Sequence, residues 1–247
     1  MSTLVDAHMH PSPGLEGTLR DALDKGLRLV LNITRPAEFE PTRAAVAKFR
    51  QVAFLFAGLH PNEAQAELER TLAMVRREAA SVDGIGEIGL DGATYAPAQL
   101  LSFTKQLELA EELGKPVSVH SRGKVGEVLS TLASYGVRSV LLHWFDGSER
   151  ELEEACGRGY FVSFGPAVLY SRRLARLASR CGEASILTET DAPVRFGACF
   201  EGRESSPDLI PSVVFALARI RRCPPLDLEK SVAGNASRFL GGRPERF

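Results

Sequence analysis

The sequence predicts an α/β protein whose eight parallel strands and intervening helices close into a (β/α)₈ barrel of the TIM type. Eight short apolar runs alternate with amphipathic stretches, an order typical of a parallel sheet. The length of 247 residues suits a single barrel of about 250 residues. No glycine-rich phosphate loop follows the first run, which disfavours the alternative, an open doubly wound sheet. We therefore expect one barrel domain over residues 1–247.

The predicted strands are short runs rich in β-branched and other apolar residues. They cover residues 3–7, 28–33, 51–57, 84–88, 117–120, 139–143, 160–163 and 185–189. Among the connecting segments, Phe103, Leu107 and Ala110 recur at the spacing of a helix face, and Gly114 is expected to end that helix. Further helices are expected near residues 68–75, 174–178, 209–220 and 226–232. Residues 193–207 are a predicted loop over the barrel mouth.

Charge and cysteine content narrow the class of protein. The 30 basic and 31 acidic residues give a net charge of −1, which argues against a broad basic surface that grips duplex DNA by charge alone. The four cysteines fit no Cys-x-x-Cys metal pattern, so we expect free thiols in a reducing compartment. No signal-like segment precedes the first strand and no apolar run approaches about 18 residues, so a cytoplasmic protein without a membrane span is expected.

All five histidines lie at or just after the carboxyl end of a predicted strand, the rim at which TIM-type barrels build their active sites. They are His8, His10, His60, His120 and His143. A bare His-x-His pair is equally well explained by two hydrogen-bonded histidines, but the shared position of all five favours a metal centre. Strand alternation predicts that Asp6 shares the inward face with the first two histidines.

Two carboxylates complete the predicted centre, because Glu87 ends the fourth strand and Asp191 follows the eighth. Six side chains would then hold two divalent ions. They are His8, His10 and Asp191 for one ion, His120 and His143 for the other, and Glu87 as the bridge. A water between the ions would be the nucleophile and Asp191 would accept its proton, so Glu87 and Asp191 are the expected catalytic residues. Such ligands suit Zn²⁺, Mn²⁺ and, less well, Mg²⁺.

The order of short motifs resembles the TatD-like metal-dependent deoxyribonucleases. The motifs are "DAHMH" at 6–10, "GLHP" at 58–61, "GEIGLD" at 86–91, "VHSR" at 119–122, "LHWFDGS" at 142–148 and "LTETDAP" at 187–193. The resemblance covers nearly the whole chain and implies a barrel, DNA as substrate and the same six metal ligands. It also implies that Arg122 holds the phosphate, with His60 behind the ligands or at the phosphate. "LHWFDGS" and "SFGPAV" further resemble the TatD-like component of Qat anti-phage defence systems, which implies defence-system partner proteins.

The chain departs from the family pattern on the expected substrate surface. Asn62 stands where a second histidine is common, Trp144 replaces the usual cysteine, and the segment after "TDAP" lacks the common Asn-x-Pro. For Trp144, base stacking and ordinary packing are equally favoured. For Arg122, a phosphate contact is favoured over a surface ion pair.

Three further acidic residues accompany the predicted ligands in these motifs. Asp6 and Glu189 would each either orient an imidazole or pair with a lysine or arginine, and the sequence does not decide between these roles. Asp91 is expected to cap a turn.

The leading hypothesis is a metal-dependent deoxyribonuclease that acts as an exonuclease on single-stranded or frayed DNA ends. The first alternative is a binuclear amidohydrolase-like enzyme acting on small amides, lactones or phosphotriesters. That chemistry commonly uses a carboxylated lysine as the bridge, and Glu87 stands in its place here. The second alternative is a catalytically silent barrel that binds partner proteins, which the complete set of six ligands disfavours.

Overall fold

The computed structural model describes residues 3–63 and 65–242 and confirms the predicted TIM-type barrel. The strands are β1 (Leu4–Met9), β2 (Leu27–Ile33), β3 (Ala53–Ala57), β4 (Ile85–Gly89), β5 (Val117–His120), β6 (Val140–Leu142), β7 (Phe161–Phe164) and β8 (Ile186–Thr188). The α-helices are α1 (Leu15–Lys25), α2 (Phe39–Lys48), α3 (Leu68–Arg77), α4 (Pro97–Leu113), α5 (Val125–Leu132), α6 (Glu149–Gly157), α7 (Arg172–Arg180), α8 (Ile210–Arg221) and α9 (Pro225–Phe239). Helices α1 to α8 each follow the strand of the same number, and α9 is additional.

The barrel wall closes through backbone contacts that join two parallel sheets. Strands β1 to β3 form one ladder and β4 to β8 form the other. Between β3 and β4, Phe56 pairs in parallel with Gly84. Between β8 and β1, the Asp191 amide donates to the His8 carbonyl at 3.0 Å, and the His10 amide donates to the carbonyl after Asp191 at 2.7 Å. This second seam therefore fixes Asp191 beside both N-terminal histidines.

Within one short paired stretch, strands β1 and β4 each have one residue more than the strand opposite. Between Asp6 and its end, β1 advances three residues while β2 advances two. Strand β4 does the same against β5 between Ile85 and Ile88. An extra residue of this kind breaks the two-residue alternation of side chains and re-aims them. Both irregular stretches contain a predicted ligand, His8 in β1 and Glu87 in β4.

Asp6, which was predicted to share the inward face with the histidines, does not join the groups of potential ligands among the described residues; its carboxylate bonds instead to Thr190, just after β8. The strand also continues through Met9, beyond its predicted end at residue 7. The Asp6 carboxylate accepts hydrogen bonds from the amide of Thr190 at 2.9 Å and from its hydroxyl. Asp6 therefore supports the seam with β8, while His8 and His10 reach the mouth.

The other differences from the predicted boundaries lie at strand ends and in the last segments. Strands β6 and β8 contain three residues each, so the predicted site side chains lie in the turns that follow. Helix α9 continues to Phe239, beyond the predicted end at residue 232. The predicted loop at 193–207 is partly ordered by an antiparallel bridge between Arg195 and Glu204 around a 3-10 turn, Ala198–Phe200.

The helices cover the barrel with their apolar faces. In α7, Leu174, Leu177 and Ala178 are buried while the arginines are exposed. Gly114 ends α4 as predicted, with a left-handed φ of 59° that glycine adopts readily. Within residues 3–63 and 65–242, none of the helices combines the length and apolar character needed to cross a bilayer.

We predict that Asn235→Ala lowers the free energy of unfolding by about 1–3 kcal/mol. The buried Asn235 amide donates from α9 to the carbonyls of Glu183 and Ile186, each at 2.8 Å. The alanine variant leaves both carbonyls at the base of β8 without these donors. Urea unfolding followed by circular dichroism measures the loss. Lys230→Ala, at an exposed position of the same helix, is the control, and equal stability of the two variants would contradict the prediction.

Candidate metal centre

A polar pocket opens at the carboxyl ends of the strands, where the five histidines converge. Its volume is about 370 Å³. The Glu87 side chain, on β4, lies at the base of this pocket and is 1% exposed. Because β1, β3, β5 and β6 all end at this rim, their last residues and the turns after them bring residues that are distant in sequence around one carboxylate.

The two carboxylate oxygens of Glu87 divide the histidines into two sets. Oε2 lies 3.3 Å from Nε2 of His8 and 3.4 Å from Nε2 of His10. Oε1 faces three further nitrogens, which are Nε2 of His143 at 2.7 Å, Nδ1 of His120 at 2.8 Å and Nε2 of His60 at 3.3 Å. Glu87 thus lies between two groups of potential ligands. His60, which the sequence left outside the ligand set, lies in the second group.

Asp191 faces the first set of histidines. Its Oδ1 lies 3.1 Å from Nε2 of His10 and 3.6 Å from Nε2 of His8. Asp191 has a φ of 49°, in the left-handed region that residues other than glycine seldom adopt. Such backbone conformations concentrate at functional sites. Here the seam between β8 and β1 holds this conformation and aims the carboxylate at both imidazoles.

Hydrogen bonds at the Nδ1 atoms orient the imidazole rings of His8 and His10. Nδ1 of His8 lies 2.8 Å from Oγ of Ser118, and Nδ1 of His10 lies 2.9 Å from the carbonyl of Asn32. Because a carbonyl only accepts, neutral His10 carries its proton on Nδ1 and turns the lone pair of Nε2 toward the carboxylates. The rings of His8 and His143 stack with centroids 3.8 Å apart. The packing therefore presents ring nitrogens to a common centre.

The donor set fits a divalent cation. Nε2 of His8 and Oδ1 of Asp191 are buried and have no hydrogen-bond partner among the described residues, although buried polar atoms are normally paired. Within residues 3–63 and 65–242, three groups of residues have possible ligand atoms within 4.8 Å of one another. They are His8, His10 and Asp191; His8, Glu87 and His143; and His60, Glu87 and His120. Imidazole and carboxylate ligands of this kind suit Zn²⁺ and Mn²⁺, and less readily Mg²⁺.

The electrostatics of the cluster keep Glu87 ionised. Burial opposes its ionisation, but the surrounding histidines lower the pKa of Glu87 well below its usual range. Burial and the neighbouring His143 lower the pKa of His8 to about 3, so this ring is neutral and able to bind a metal. Burial also disfavours a charged His10, but the adjacent carboxylates of Asp191 and Glu87 raise the pKa of His10 to about 10. A cation bound to Nε2 of His10 would displace that proton.

Comparison with known proteins agrees with this geometry. The family model described as "TatD related DNase" matches residues 5–241, nearly the whole chain. The chain belongs to the TatD-related DNase family. This confirms the resemblance found in the sequence motifs.

Three proteins illustrate the similarity to this TatD-related chain. Deoxyribonuclease TATDN3 of Homo sapiens is 29% identical over 216 residues, which cover 77% of this chain and 78% of that protein. The 3′-5′ ssDNA/RNA exonuclease TatD of Cronobacter sakazakii is 32% identical over 198 residues, covering 74% of this chain and 75% of that one. The uncharacterized metal-dependent hydrolase YjjV of Escherichia coli K12 is 28% identical over 246 residues, which cover 94% of this chain and 95% of that protein.

The crystal structure of YjjV, described as a TatD homolog, matches this chain with a TM-score of 0.86 and 26% identity, covering 96% of this chain and 97% of that one. This match supports the TIM-type barrel seen in the architecture. The relatives also confirm the predicted enzyme class: the chain is a metal-dependent hydrolase of the TatD-related DNase family.

Asp91 is a residue of this TatD-related site that the sequence analysis missed. It does cap a turn, because Oδ1 accepts from the Ala93 amide at 2.8 Å. However, its fully buried carboxylate also places Oδ2 2.9 Å from Nε2 of His120 and 2.7 Å from Nη2 of Arg122. Burial would raise the pKa of Asp91, but the Ala93 amide, Arg122 and His120 lower it to about 2. Ionised Asp91 thereby holds His120 with Nδ1 toward Glu87, and its signal in the sequence was its place in "GEIGLD".

The three predicted substrate contacts occupy different positions in the TatD-related pocket. Arg122 and Trp144 line its wall. The side chain of Arg122 is 57% exposed and pairs with buried Asp91, so it is anchored while it remains accessible. The ring of Trp144 packs on Phe196 with centroids 5.0 Å apart, so it takes part in packing while lining the pocket. His60 also lines the pocket, but its distance to Glu87 groups it with the possible ligands.

The structure decides the roles that the sequence left open for Asp6 and Glu189. Among the described residues, neither carboxylate pairs with a lysine or arginine. Glu189 accepts a hydrogen bond from Ser163 at 2.6 Å and lies 3.8 Å from Nδ1 of His143. Burial raises the pKa of Glu189 well above its usual range and that of Asp6 to about 7. Glu189 therefore lies next to the turn that carries His143, and Asp6 forms hydrogen bonds across the seam between β1 and β8.

We predict that Mn²⁺ raises the thermal midpoint of the metal-stripped protein by about 5–10 °C. A cation at about 100 times its Kd stabilises the folded state by about 2.7 kcal/mol, since it gives partners to buried His8 and Asp191. Differential scanning fluorimetry measures the shift. The shift should shrink in His10→Ala and persist in Asp208→Asn, an exposed carboxylate elsewhere. A midpoint that does not respond to Mn²⁺, Zn²⁺ or Mg²⁺ would contradict a metal centre at this position.

Proposed function

We propose that this hydrolase cleaves phosphodiester bonds at the ends of single-stranded DNA, as an exonuclease that depends on divalent metal ions. The observation that carries the proposal is the position of Glu87, whose two oxygens face five imidazoles at the floor of an open pocket. Family membership supports DNA as the substrate. The relative from Cronobacter sakazakii, named a 3′-5′ ssDNA/RNA exonuclease, supports single strands and digestion from the 3′ end.

The shape of the pocket favours a strand end over an intact duplex. Its volume of about 370 Å³ lies at the lower end of the range for ligand pockets. The floor of the pocket, where Glu87 and Asp191 lie, is almost completely buried. A phosphodiester in the middle of a rigid duplex has no free end to insert so deeply, whereas a flexible terminus can enter. An unpaired end is therefore the substrate that the site accommodates best.

We infer two divalent ions as cofactors. His8 and His10, with Asp191 beside them, face Oε2 of Glu87, and His120 and His143 face Oε1. Glu87 would be the bridge, as the sequence analysis expected, and His60 would add a ligand to the second ion. Bound cations would supply a water of lowered pKa and neutralise charge on the phosphate.

The side chains around the pocket have distinct roles in the proposed reaction. The guanidinium of Arg122, anchored at 2.7 Å to Asp91, donates to a phosphate oxygen and orients the scissile bond. The carboxylate of Asp191 accepts the proton that the attacking water loses. Ionised Asp91 keeps His120 in place throughout. Trp144 forms the apolar wall against which the terminal base stacks.

The alternative functions receive less support. A small-molecule hydrolase with a carboxylated lysine would need a lysine at the floor, but none of the described residues that line the pocket is a lysine. A silent scaffold disagrees with membership of a hydrolase family. The resemblance to the component of Qat anti-phage systems, with its partner proteins, and the cytoplasmic location both stay predictions.

Cleavage of end-labelled oligonucleotides tests the proposal. Metal-stripped protein is supplied with Mg²⁺, Mn²⁺ or Zn²⁺ and given single-stranded DNA labelled at either the 5′ or the 3′ end. Digestion from the 3′ end gives a ladder from the 5′-labelled strand and immediate release of a mononucleotide from the 3′-labelled strand. A blunt duplex of the same sequence should be cut more slowly. Failure of every metal to support cleavage would move the assignment to the small-molecule hydrolases.

We predict that Asp191→Asn lowers kcat for DNA hydrolysis by about 10²–10⁴-fold, because the amide cannot accept the proton of the attacking water. Glu87→Ala should likewise abolish activity, because it removes the carboxylate between the two sets of histidines. Steady-state kinetics and circular dichroism are measured together, and both variants should remain folded. Asp208→Asn, on an exposed carboxylate, is the matched control. Wild-type turnover in either site variant would exclude this site.

We predict that Arg122→Ala raises KM for oligonucleotides by about 10-fold or more and lowers kcat by a smaller factor. The lost contact is a hydrogen bond between charged groups, which contributes about 1.5–3 kcal/mol. Arg20→Ala, exposed on α1, controls for the change in net charge. An unchanged KM in Arg122→Ala would remove this residue from the phosphate site.

A further inference from the structure

A row of aromatic rings leads outward from the pocket wall. The aromatic row consists of Trp144, Phe196, Phe200 and Tyr170. Successive ring centroids are 5.0 Å, 6.0 Å and 6.2 Å apart. Trp144 lines the pocket itself, and Tyr170 is the outer end of the row. The row therefore connects the metal centre to the protein surface.

The members of the row differ in exposure in a way that suits a binding surface. Phe196 is 3% exposed and packs between its neighbours, so it supports the row and offers no face to a ligand. Trp144 and Phe200 are half-buried. Tyr170 is 40% exposed. Three rings along the row thus present part of their surface to solvent on a buried support.

The spacing of the rings favours unpaired bases. Adjacent nucleotides in a duplex strand lie about 3.4 Å apart along the helix axis, whereas the centroids of the neighbouring accessible rings, Phe200 and Tyr170, are 6.2 Å apart. Bases that contact different rings must therefore be separated from one another, which a single strand permits and a duplex does not. Stacking on aromatic side chains tolerates any base sequence, because every base has a π face.

Arginines adjoin the outer end of the row. Arg172 and Arg176 line a groove that also contains Gly147 and Ser148, next to the turn that carries Trp144. Both are exposed, and within the part of the chain that the structure describes neither pairs with a carboxylate. Arg173, between them in sequence, is held by the carbonyls of the turn after Trp144.

Three acidic side chains of this region are already engaged. Glu149 pairs with Arg180 at 3.2 Å, and Glu127 pairs with Lys124 at 2.7 Å. Glu151 caps the start of α6 by accepting from Ser148. In the groove that Arg172 and Arg176 line, the acidic side chain among the described residues, Glu149, is thus neutralised, and the charge of the two exposed arginines suits the phosphates of a strand whose bases lie on the row.

We propose that the aromatic row and the two arginines form a path for single-stranded DNA beyond the nucleotide being cleaved. The terminal base stacks on Trp144, a base further along the strand stacks on Tyr170, and Arg172 and Arg176 contact the phosphates between or beyond them. This proposal rests on the proposed function, since the path begins at the metal centre. It extends that function by assigning the residues that make affinity depend on strand length.

Binding of two oligothymidylates of different length tests the stacking part of the path. Fluorescence anisotropy in EDTA gives Kd for a twelve-nucleotide and a two-nucleotide strand without relying on turnover. Tyr170→Ala should raise Kd for the long strand by about 5- to 100-fold and leave the short strand within about twofold. Tyr170→Phe should retain wild-type affinity because the ring remains. Leu169→Ala, also 40% exposed, is the matched control.

The dependence of Kd on salt tests the arginines. On single strands the logarithm of the binding constant falls with the logarithm of salt concentration by about 0.7 for each phosphate neutralised. The double variant Arg172→Ala/Arg176→Ala should therefore lower this slope by about 1.4. The control is Arg20→Ala/Arg219→Ala, which removes two exposed arginines on α1 and near the end of α8. Equal slopes for the two double variants would remove the arginines from the path.

A small phosphodiester separates failure of the path from failure of the proposed function. Bis(4-nitrophenyl) phosphate reaches the metal centre but is too short to contact Tyr170, so its metal-dependent hydrolysis should be unchanged in Tyr170→Ala. If the wild type cleaves neither this compound nor DNA, the proposed function fails. If it cleaves both, and Tyr170→Ala binds the long strand as well as the wild type does, the path is wrong and the proposed function stands.

Discussion

The site depends on one constraint, which is that the carboxylate of Glu87 is buried at the centre of the barrel mouth. A buried charge is costly unless polar or charged groups surround it. Here five imidazoles face its two oxygens at 2.7–3.4 Å. Those imidazoles come from the ends of four strands and lower the pKa of the carboxylate. The requirement to surround Glu87 therefore explains why histidines distant in sequence occupy the same rim.

Closure of the barrel and assembly of the site are the same event on one side of the molecule. The amide of Asp191 bonds to the carbonyl of His8, and the backbone of His10 bonds to the residue after Asp191. Hydrogen bonds from Thr190 to the carboxylate of Asp6 also join the two strands at this seam. As a result, the first and last strands cannot join without bringing the carboxylate of Asp191 to the first two histidines. The left-handed backbone of Asp191 belongs to this junction.

Chemistry and substrate recognition are assigned to different parts of the chain. The metal-binding candidates lie on strand ends and the short turns after them, where the barrel holds side chains rigidly. The expected substrate contacts lie on the loops above, with Asp91 linking the two layers through His120 and Arg122. Departures from the family pattern, such as Trp144, lie in this upper layer. Such loops can change with substrate while the ligands beneath remain in place.

The sequence by itself determined the barrel and most of the candidate site, because the period of apolar residues and the position of a residue along its strand are local properties. Alternating apolar runs predicted eight strands. Side chains at the carboxyl ends of these strands must meet at one rim, so Glu87 and the histidines could be grouped from the sequence alone. Other features depend on contacts between distant segments. The extra residues in β1 and β4 that re-aim His8 and Glu87, the role of Asp91 toward His120, and the aromatic row from Trp144 to Tyr170 arise only when several loops fold over the same pocket. Only the tertiary structure decides these, since a side chain's partner across the barrel leaves no periodic signal in its own segment.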